Sequence, residues 1–298
     1  MQKSDRMMWM NIWTDNVSGR QEMNGSKDLK TIIYFKGVYD TLDLFTDHLI
    51  EAFESMGYGT FVYHTANEEV SKKMLLRLLD ESQEFAVVTF NNLGYNLSFE
   101  QSEAAEDEEK KPEEHNIWNY FHIPYIDILM DHPFHYEKPL CNMPETAVIL
   151  CTDRNHVKYI RRFFKNIHRT DFLPHAGVEL GHKHKPLNDR NIDVLYAGAL
   201  PIYTVAKMIP DLHSIPEVDG EHMMQSVLGE LVQHPEQTTE QAIEAYVKTV
   251  RGDISDRRLQ EIIVKMRFLD SYATSFFREQ AVRILVESGI HVTAYGVG

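Results

Sequence analysis

The sequence contains few groups from which a covalent or metal framework could be built. Only two of its 298 residues are cysteines, Cys141 and Cys151. Two thiols exclude a disulfide-rich scaffold and a cysteine-based zinc cluster. Such sparing use of cysteine is typical of a reducing compartment, and we therefore predict a cytoplasmic protein.

Long hydrophobic runs are also missing. No stretch approaches the roughly 18 consecutive apolar residues needed to cross a bilayer. The N-terminus carries Lys3, Asp5 and Arg6 and lacks the uninterrupted apolar core of a secretory signal peptide. The sequence therefore predicts a soluble protein without a membrane span.

Positive charge is scarce as well. Thirty Lys and Arg residues stand against 45 Asp and Glu residues, which gives a formal net charge of -15. A protein with this charge repels phosphate backbones, so we predict that nucleic acid is not its main partner. A small phosphorylated ligand remains compatible, because local backbone dipoles can outweigh the net charge inside a cleft.

Familiar catalytic and nucleotide-binding motifs are absent from the sequence. We find no G-x-S-x-G, no H-E-x-x-H, no P-loop, and no G-x-G-x-x-G after a strand. His182 and His184 are two residues apart without an acidic or thiol partner nearby in sequence, which favours a surface loop over a zinc site. The sequence therefore predicts neither a metal nor a cofactor.

Apolar runs are present, and they alternate with segments of helical periodicity. Residues 30–37, 60–65, 85–92, 125–130 and 146–153 each predict a strand, and residues 43–56, 68–79 and 155–164 each predict a helix. Strands that are apolar throughout and alternate with helices indicate a parallel sheet covered on both faces. The predicted fold class is therefore α/β, beginning with a Rossmann-like domain.

The length of the chain favours two domains. We predict a loose tail at residues 1–29, a Rossmann-like domain at 30–180 and a partial second domain at 191–298, joined by a polar linker. Within the second domain, strands at 192–198 and 291–295 would flank a helical insert at 203–276, with helices at 221–232, 239–250 and 256–287. The charged run at 102–114 predicts a solvated loop or a frayed helix start.

Polar residues follow four of the predicted strands. They are Asn91 and Asn92, Asp131 and His132, Asp153 and Arg154, and His175, which belongs to a further segment, DFLPHAG, at 171–177. Ligands of open parallel sheets bind beyond the carboxyl ends of the strands, so these residues are candidates for a binding cleft.

Each candidate also has a structural interpretation. Asp131 and His132 are suited to act as a general base or as hydrogen-bond partners of a hydroxyl, and Asp131 is equally suited to cap a turn shaped by Pro133. For Asp153 we favour a helix N-cap over substrate binding. His175 lies in a tight turn near a ligand or in a hinge, and Gly198 would let a diphosphate approach backbone amides.

Four segments together resemble a known family. The runs NIWNYFHIPYIDILMDHPFHY, CTDRNHVKYIRRFF, FLPHAG and RNIDVLYAG, in this order and spacing, resemble bacterial GT-B glycosyltransferases of the spore-maturation CgeB-like group. The resemblance is good over residues 116–198 and looser over 31–92 and 277–298. It implies two Rossmann-like domains, the first for an acceptor and the second for a nucleotide-sugar donor that serves as substrate, without a metal. It places Asp131, His132, Asp153, Arg154, His156 and His175 at the cleft.

The chain departs from that family at its C-terminus. The family holds its donor with a later part of the second domain, so we expect a chain truncated within that domain. The leading hypothesis is a glycosyltransferase, or its N-terminal part, that transfers a sugar to a hydroxyl of a glycan, protein or small molecule. The alternatives are a non-catalytic module that binds a glycan or a protein, and a sensory or regulatory α/β domain. The helical insert is also compatible with a homodimer.

Overall fold

The computed structural model describes residues 30–80, 84–101, 113–177, 185–198, 215 and 218–296. The predicted tail at 1–29, most of the charged run and the pair His182 and His184 lie outside these residues. The chain divides into two compact units between Ala176 and Gly177. Each unit is described below by itself.

The first unit is built on six parallel strands. Their order in the sheet is β2-β1-β3-β6-β7-β8. The strands are β1 (Thr31–Lys36), β2 (Gly59–His64), β3 (Phe85–Phe90), β6 (Tyr125–Leu129), β7 (Ala147–Cys151) and β8 (Arg169–Phe172). The helices are α1 (Asp40–Ser55), α2 (Glu68–Leu79), α3 (Ile117–Tyr120), α4 (Glu137–Cys141) and α5 (Arg154–Phe163), with a 3-10 helix at Pro133–Tyr136. This architecture confirms the predicted Rossmann-like α/β domain.

Both faces of the sheet are covered. One face packs against α1 through a cluster of buried residues: Ile32, Tyr34, Leu42, Val88, Phe90, Ile126, Ile128, Val148 and Leu150. Side chains alternate along a strand, so the residues between these point to the opposite face. There the ring of the fully buried Trp118 meets Phe35 and Tyr125. Two-sided burial explains why the strands read as continuous apolar runs.

The strand order fixes where a ligand would bind. From β1 the chain moves to β2 on one side, and it then returns to β3 on the other side of β1. Where the winding direction reverses in this way, the loops beyond the carboxyl ends of the two strands separate and leave a crevice. In this unit the crevice is expected between the ends of β1 and β3, with β6 next to β3.

One antiparallel hairpin was missed by sequence reasoning. Strands β4 (Ser98–Gln101) and β5 (Glu113–Asn116) pair with each other, so the charged run ends in a strand rather than in a loop or helix. Both strands are four residues long and mostly polar, which is too short and too hydrophilic for a recognisable alternation.

The second unit contains two parallel strands, four α-helices and a 3-10 helix at Leu187–Asp189 among the described residues. The elements are β9 (Val194–Ala197), α6 (Gly220–Gln233), α7 (Thr239–Arg251), α8 (Asp256–Met266), α9 (Phe268–Glu287) and β10 (Val292–Tyr295). The helix predicted at 256–287 is two helices, because the chain turns at Arg267, and the predicted insert boundary at 276 falls inside α9. The proposed insert start at 203 lies outside the described residues.

Candidate functional site

Two of the predicted polar strand ends, those of β3 and β6, meet next to the expected crevice. The side-chain amide of Asn91, directly after β3, donates a hydrogen bond to Asp131 Oδ2 at 3.2 Å. The same side chain accepts from the backbone amide of Met130 at 2.9 Å. These residues are about forty positions apart in the chain, and they meet because β3 and β6 are neighbours in the sheet.

Asp131 is exposed, yet its carboxylate is held in place. Oδ2 accepts hydrogen bonds from Asn91 Nδ2 and, at 2.8 Å, from the hydroxyl of Tyr136. Burial raises the pKa of Tyr136 well above its usual range, and the hydrogen bond to Asp131 raises it further. Tyr136 therefore remains a donor at every physiological pH. Asp131 Oδ1 accepts no hydrogen bond from the described residues, so this oxygen can receive a ligand hydroxyl.

His132 is packed into an aromatic cluster rather than directed at the crevice. Its Nδ1 accepts from the backbone amide of Phe134 at 3.2 Å and thereby caps the 3-10 helix. Its ring stacks on Phe134 with centroids 3.6 Å apart and meets the edges of His156 at 4.5 Å and Tyr159 at 5.0 Å. The Nε2 atom is buried. This geometry favours a structural role for His132 and His156, and it makes His132, not Asp131, the cap of the turn.

Asp153 and Arg154 occupy the start of α5, beyond β7. Asp153 accepts from the backbone amide of Asn155 at 2.6 Å, as the N-cap interpretation predicts. The Arg154 guanidinium lies 4.1 Å from the centre of the Phe172 ring, a cation–π contact at the end of β8. His175 is exposed in the segment that follows β8. These three residues make no described contact with Asp131.

The cap at Asp153 has a measurable consequence. Replacing an N-cap Asp with Ala removes one helix-end hydrogen bond and costs about 1 kcal/mol. We expect Asp153→Ala to lower the free energy of unfolding by about that amount and Asp153→Asn to retain most of it, since Asn caps equally well. Urea denaturation followed by circular dichroism measures both. Equal losses in the two variants would contradict a capping role.

The turn between β1 and α1 is unfavourable for phosphate. The Gly37 amide donates to both carboxylate oxygens of Asp43, at 3.0 and 3.1 Å, and Asp40 adds a second acid to the first turn of α1. Phosphate-binding folds direct such amides and the positive end of the helix dipole at the ligand. Here a carboxylate already holds the amide, and like charges would repel a phosphate.

Gly198 directly follows β9 in the second unit. Its φ of 151° lies in the region that favours glycine, and its amide donates to the carbonyl of Tyr295 at 2.9 Å. A Cβ atom on Gly296 would lie 1.9 Å from the Gly198 carbonyl oxygen, so the two glycines pack backbone to backbone. The amide of Gly198 itself is therefore engaged within the sheet. Any diphosphate contact near Gly198 would have to use other amides.

Comparison with known proteins gives no family for this chain. No family model, no curated protein and no solved structure matches it. Across the part of the chain that the structure describes, no three His, Cys, Asp or Glu side chains are grouped so as to hold a metal ion. Among the same residues, no helix has the length and apolar character needed to cross a membrane.

Sequence reasoning missed the buried polar group beneath the crevice. Asp127 is fully buried in β6, and its Oδ1 accepts from the backbone amide of Asn92 at 2.9 Å. Burial raises the pKa of Asp127 to about 7, although the hydrogen bond from Asn92 works in the opposite direction. A lone aspartate inside the apolar strand YIDIL was the available signal, because buried carboxylates are rare unless they have a specific task.

Proposed function

We propose that this chain is a nucleotide-sugar-dependent glycosyltransferase whose first unit holds the acceptor hydroxyl at Asp131. The main support is the exposed Asp131 carboxylate just after β6, the strand next to β3, with one oxygen fixed by Asn91 and Tyr136. A preoriented carboxylate is suited to accept the proton of an attacking hydroxyl in glycosyl transfer.

In the proposed reaction, the acceptor hydroxyl donates its hydrogen bond to Asp131 Oδ1. As the hydroxyl oxygen forms a bond to the anomeric carbon of the donor sugar, its proton passes to Asp131. The bond between that carbon and the phosphate oxygen breaks, and the nucleoside diphosphate leaves with the electron pair. His132 is assigned no proton transfer, because its Nδ1 caps the 3-10 helix and its Nε2 is buried.

The first unit is assigned the acceptor rather than the donor for an electrostatic reason. Asp43 already binds the Gly37 amide, and Asp40 stands beside it, so the β1–α1 turn repels a diphosphate. Neutral hydroxyls suit the crevice, since they can donate to Asp131 without adding negative charge. The β1–α1 turn is therefore not assigned to the donor.

The experiment measures release of nucleoside diphosphate from a panel of UDP-, GDP- and dTDP-sugars, with simple methyl glycosides as acceptors. We expect Asp131→Asn to lower kcat by about 100-fold or more, because general-base catalysis contributes about 10²–10⁴. Glu137→Gln removes the same charge from an exposed position nearby and is expected to keep full activity.

Turnover by the wild type and loss in Asp131→Asn alone would support the proposal. Full activity in Asp131→Asn would remove Asp131 from the reaction. If no donor is turned over, but methyl glycosides bind in calorimetry and Asp131→Ala abolishes that binding, the crevice belongs to a non-catalytic glycan-binding module.

A further inference from the structure

Buried side chains donate hydrogen bonds to the turn that follows β3. Thr89 and Tyr125 both donate to the carbonyl of Leu93, at 3.2 and 2.7 Å, and the Trp118 indole donates to the carbonyl of Gly94 at 2.7 Å. These three contacts act on the second half of the turn. The first half, which carries Asn91, is held from the sheet by a different residue.

That residue is Asp127. Its Oδ1 receives the backbone N–H of Asn92 at 2.9 Å, and the side chains of Asp127 and Asn92 are 0% and 4% exposed. Asn91 and Asn92 both have positive φ values, 48° and 64°. Asparagine tolerates this left-handed conformation better than most residues, but it does not enforce it. The hydrogen bond from the Asn92 amide to a fixed, buried acceptor holds the backbone in this conformation.

We infer that Asp127 is a positioning residue for the candidate site: by holding the Asn92 amide it fixes the left-handed turn that directs the Asn91 side chain to Asp131. Asn91 can reach Met130 N and Asp131 Oδ2 together only while its backbone stays in this turn. The functional meaning of the inference depends on the proposed role of Asp131, but the positioning itself can be measured without a ligand.

A carboxylate at this depth is costly, which argues that it has a task. Asp127 Oδ2 is buried and receives no hydrogen bond from the described residues. Thr89 lies opposite Asp127 on the neighbouring strand β3. The other groups near Asp127 are Tyr125 on the same strand, Tyr136 on the 3-10 helix and Cys151 on β7. None of these is a cation. An apolar residue here would leave the buried Asn92 amide without its acceptor, so the carboxyl group serves the turn rather than the apolar core.

The test is nuclear magnetic resonance on the whole 15N-labelled chain, with the Asn91 side-chain amide assigned by its loss in Asn91→Ser. We expect Asp127→Leu to move this resonance to the shift of an unstructured asparagine, because the turn is released. Asp127→Asn keeps an acceptor oxygen and is expected to restore the wild-type shift. Tyr125→Phe is the matched control, since it removes a buried bond to the second half of the turn only.

An unchanged Asn91 resonance in folded Asp127→Leu would overturn the inference. The wild type provides a second measurement that does not require any variant to fold. In a sample labelled with both 13C and 15N, the Asn92 backbone amide shift should follow the Asp127 carboxyl carbon through one titration with a midpoint near pH 7. If the Asp127 carboxyl titrates while the Asn92 amide stays constant, the hydrogen bond does not couple them and the inference fails.

Measurements of enzymatic activity test the functional consequence of the inference. We expect kcat to fall at least about tenfold in Asp127→Leu with KM little changed, and to recover in Asp127→Asn, because misplaced catalytic groups slow the chemical step. An active wild type with full kcat in Asp127→Leu would overturn the inference. A wild type that neither turns over nor binds sugars, but shows the Asn91 response, would instead contradict the proposed function and leave the positioning role standing.

Discussion

Asp127→Asn is expected to be more stable than the wild type at pH 8. From pH 4 to pH 8, the difference in free energy of unfolding between the two proteins should shift in favour of the variant by about 4 kcal/mol. The variant keeps an oxygen that can accept the Asn92 amide, and it cannot ionise. The wild type, in contrast, has to place a charge in a fully buried position once the pH exceeds the pKa of Asp127.

The direction of the effect follows from the two pKa values. Burial raises the pKa of Asp127 in the folded protein from 3.8 to about 7, so between these values the folded state binds a proton that the unfolded state has lost. The stabilising contribution of the protonated carboxyl is fully present below pH 3.8 and is lost as the pH rises through about 7. One pKa unit corresponds to about 1.4 kcal/mol, which gives the expected size.

Urea denaturation at pH 4, 6, 7 and 8 measures this difference. Trp118 fluorescence is a suitable probe, because Trp118 is fully buried in the first unit. Asp171→Asn removes an exposed carboxylate and is expected to show no comparable change with pH. A constant difference between Asp127→Asn and the wild type across this range would show that Asp127 does not titrate as a buried acid.

Gly94→Ala is expected to lower the free energy of unfolding by about 2–5 kcal/mol. Gly94 has a φ of 78°, and a Cβ atom there would lie 2.1 Å from the Phe35 ring. Phe35 is 3% exposed and packs against Tyr63 and Trp118, so its ring has little room to move. Backbone strain contributes about 1–2 kcal/mol, and overpacking adds about 1–3 kcal/mol.

Gly57→Ala separates the two contributions. Gly57 has a similar φ of 89°, but nothing lies within 4 Å of a Cβ atom built there. Its substitution should therefore cost only the backbone strain, about 1–2 kcal/mol. Thermal and urea denaturation of both variants make the comparison. If the two glycines proved equally costly to replace, the Phe35 ring would have to yield to the methyl group.

Much of the fold was readable from local patterns. The apolar runs at 30–37, 85–92 and 146–153 contain β1, β3 and β7 with only one or two extra residues at either end. The prediction agrees with the structure because a strand that is buried on both faces is apolar throughout, so its consecutive residues form a recognisable apolar run. The β4–β5 hairpin could not be predicted from the sequence, because its short polar strands are defined only by their pairing with each other, and they are separated along the chain.

The candidate site was readable only in part. Sequence order alone shows that Asn91 and Asp131 follow strands and that Asp153 precedes a helix. Which of these groups stays open to a ligand depends on hydrogen-bond partners far away in the chain. Asp131 is held by Asn91 from another strand, and His132, its neighbour, is taken up by the Phe134 and His156 cluster.

The sequence by itself determined an acidic α/β protein with a parallel sheet whose strands end in polar residues, because burial and charge are properties of each segment. Only the tertiary structure decided that Asp131 is held while exposed and that Asp127 is fully buried beneath the neighbouring turn. The local pattern separates an aspartate inside a strand from one after it, but it does not show which distant residues each carboxylate holds. The distinction arises from the placement of β3 beside β6, which brings Asn91 to one and Asn92 to the other.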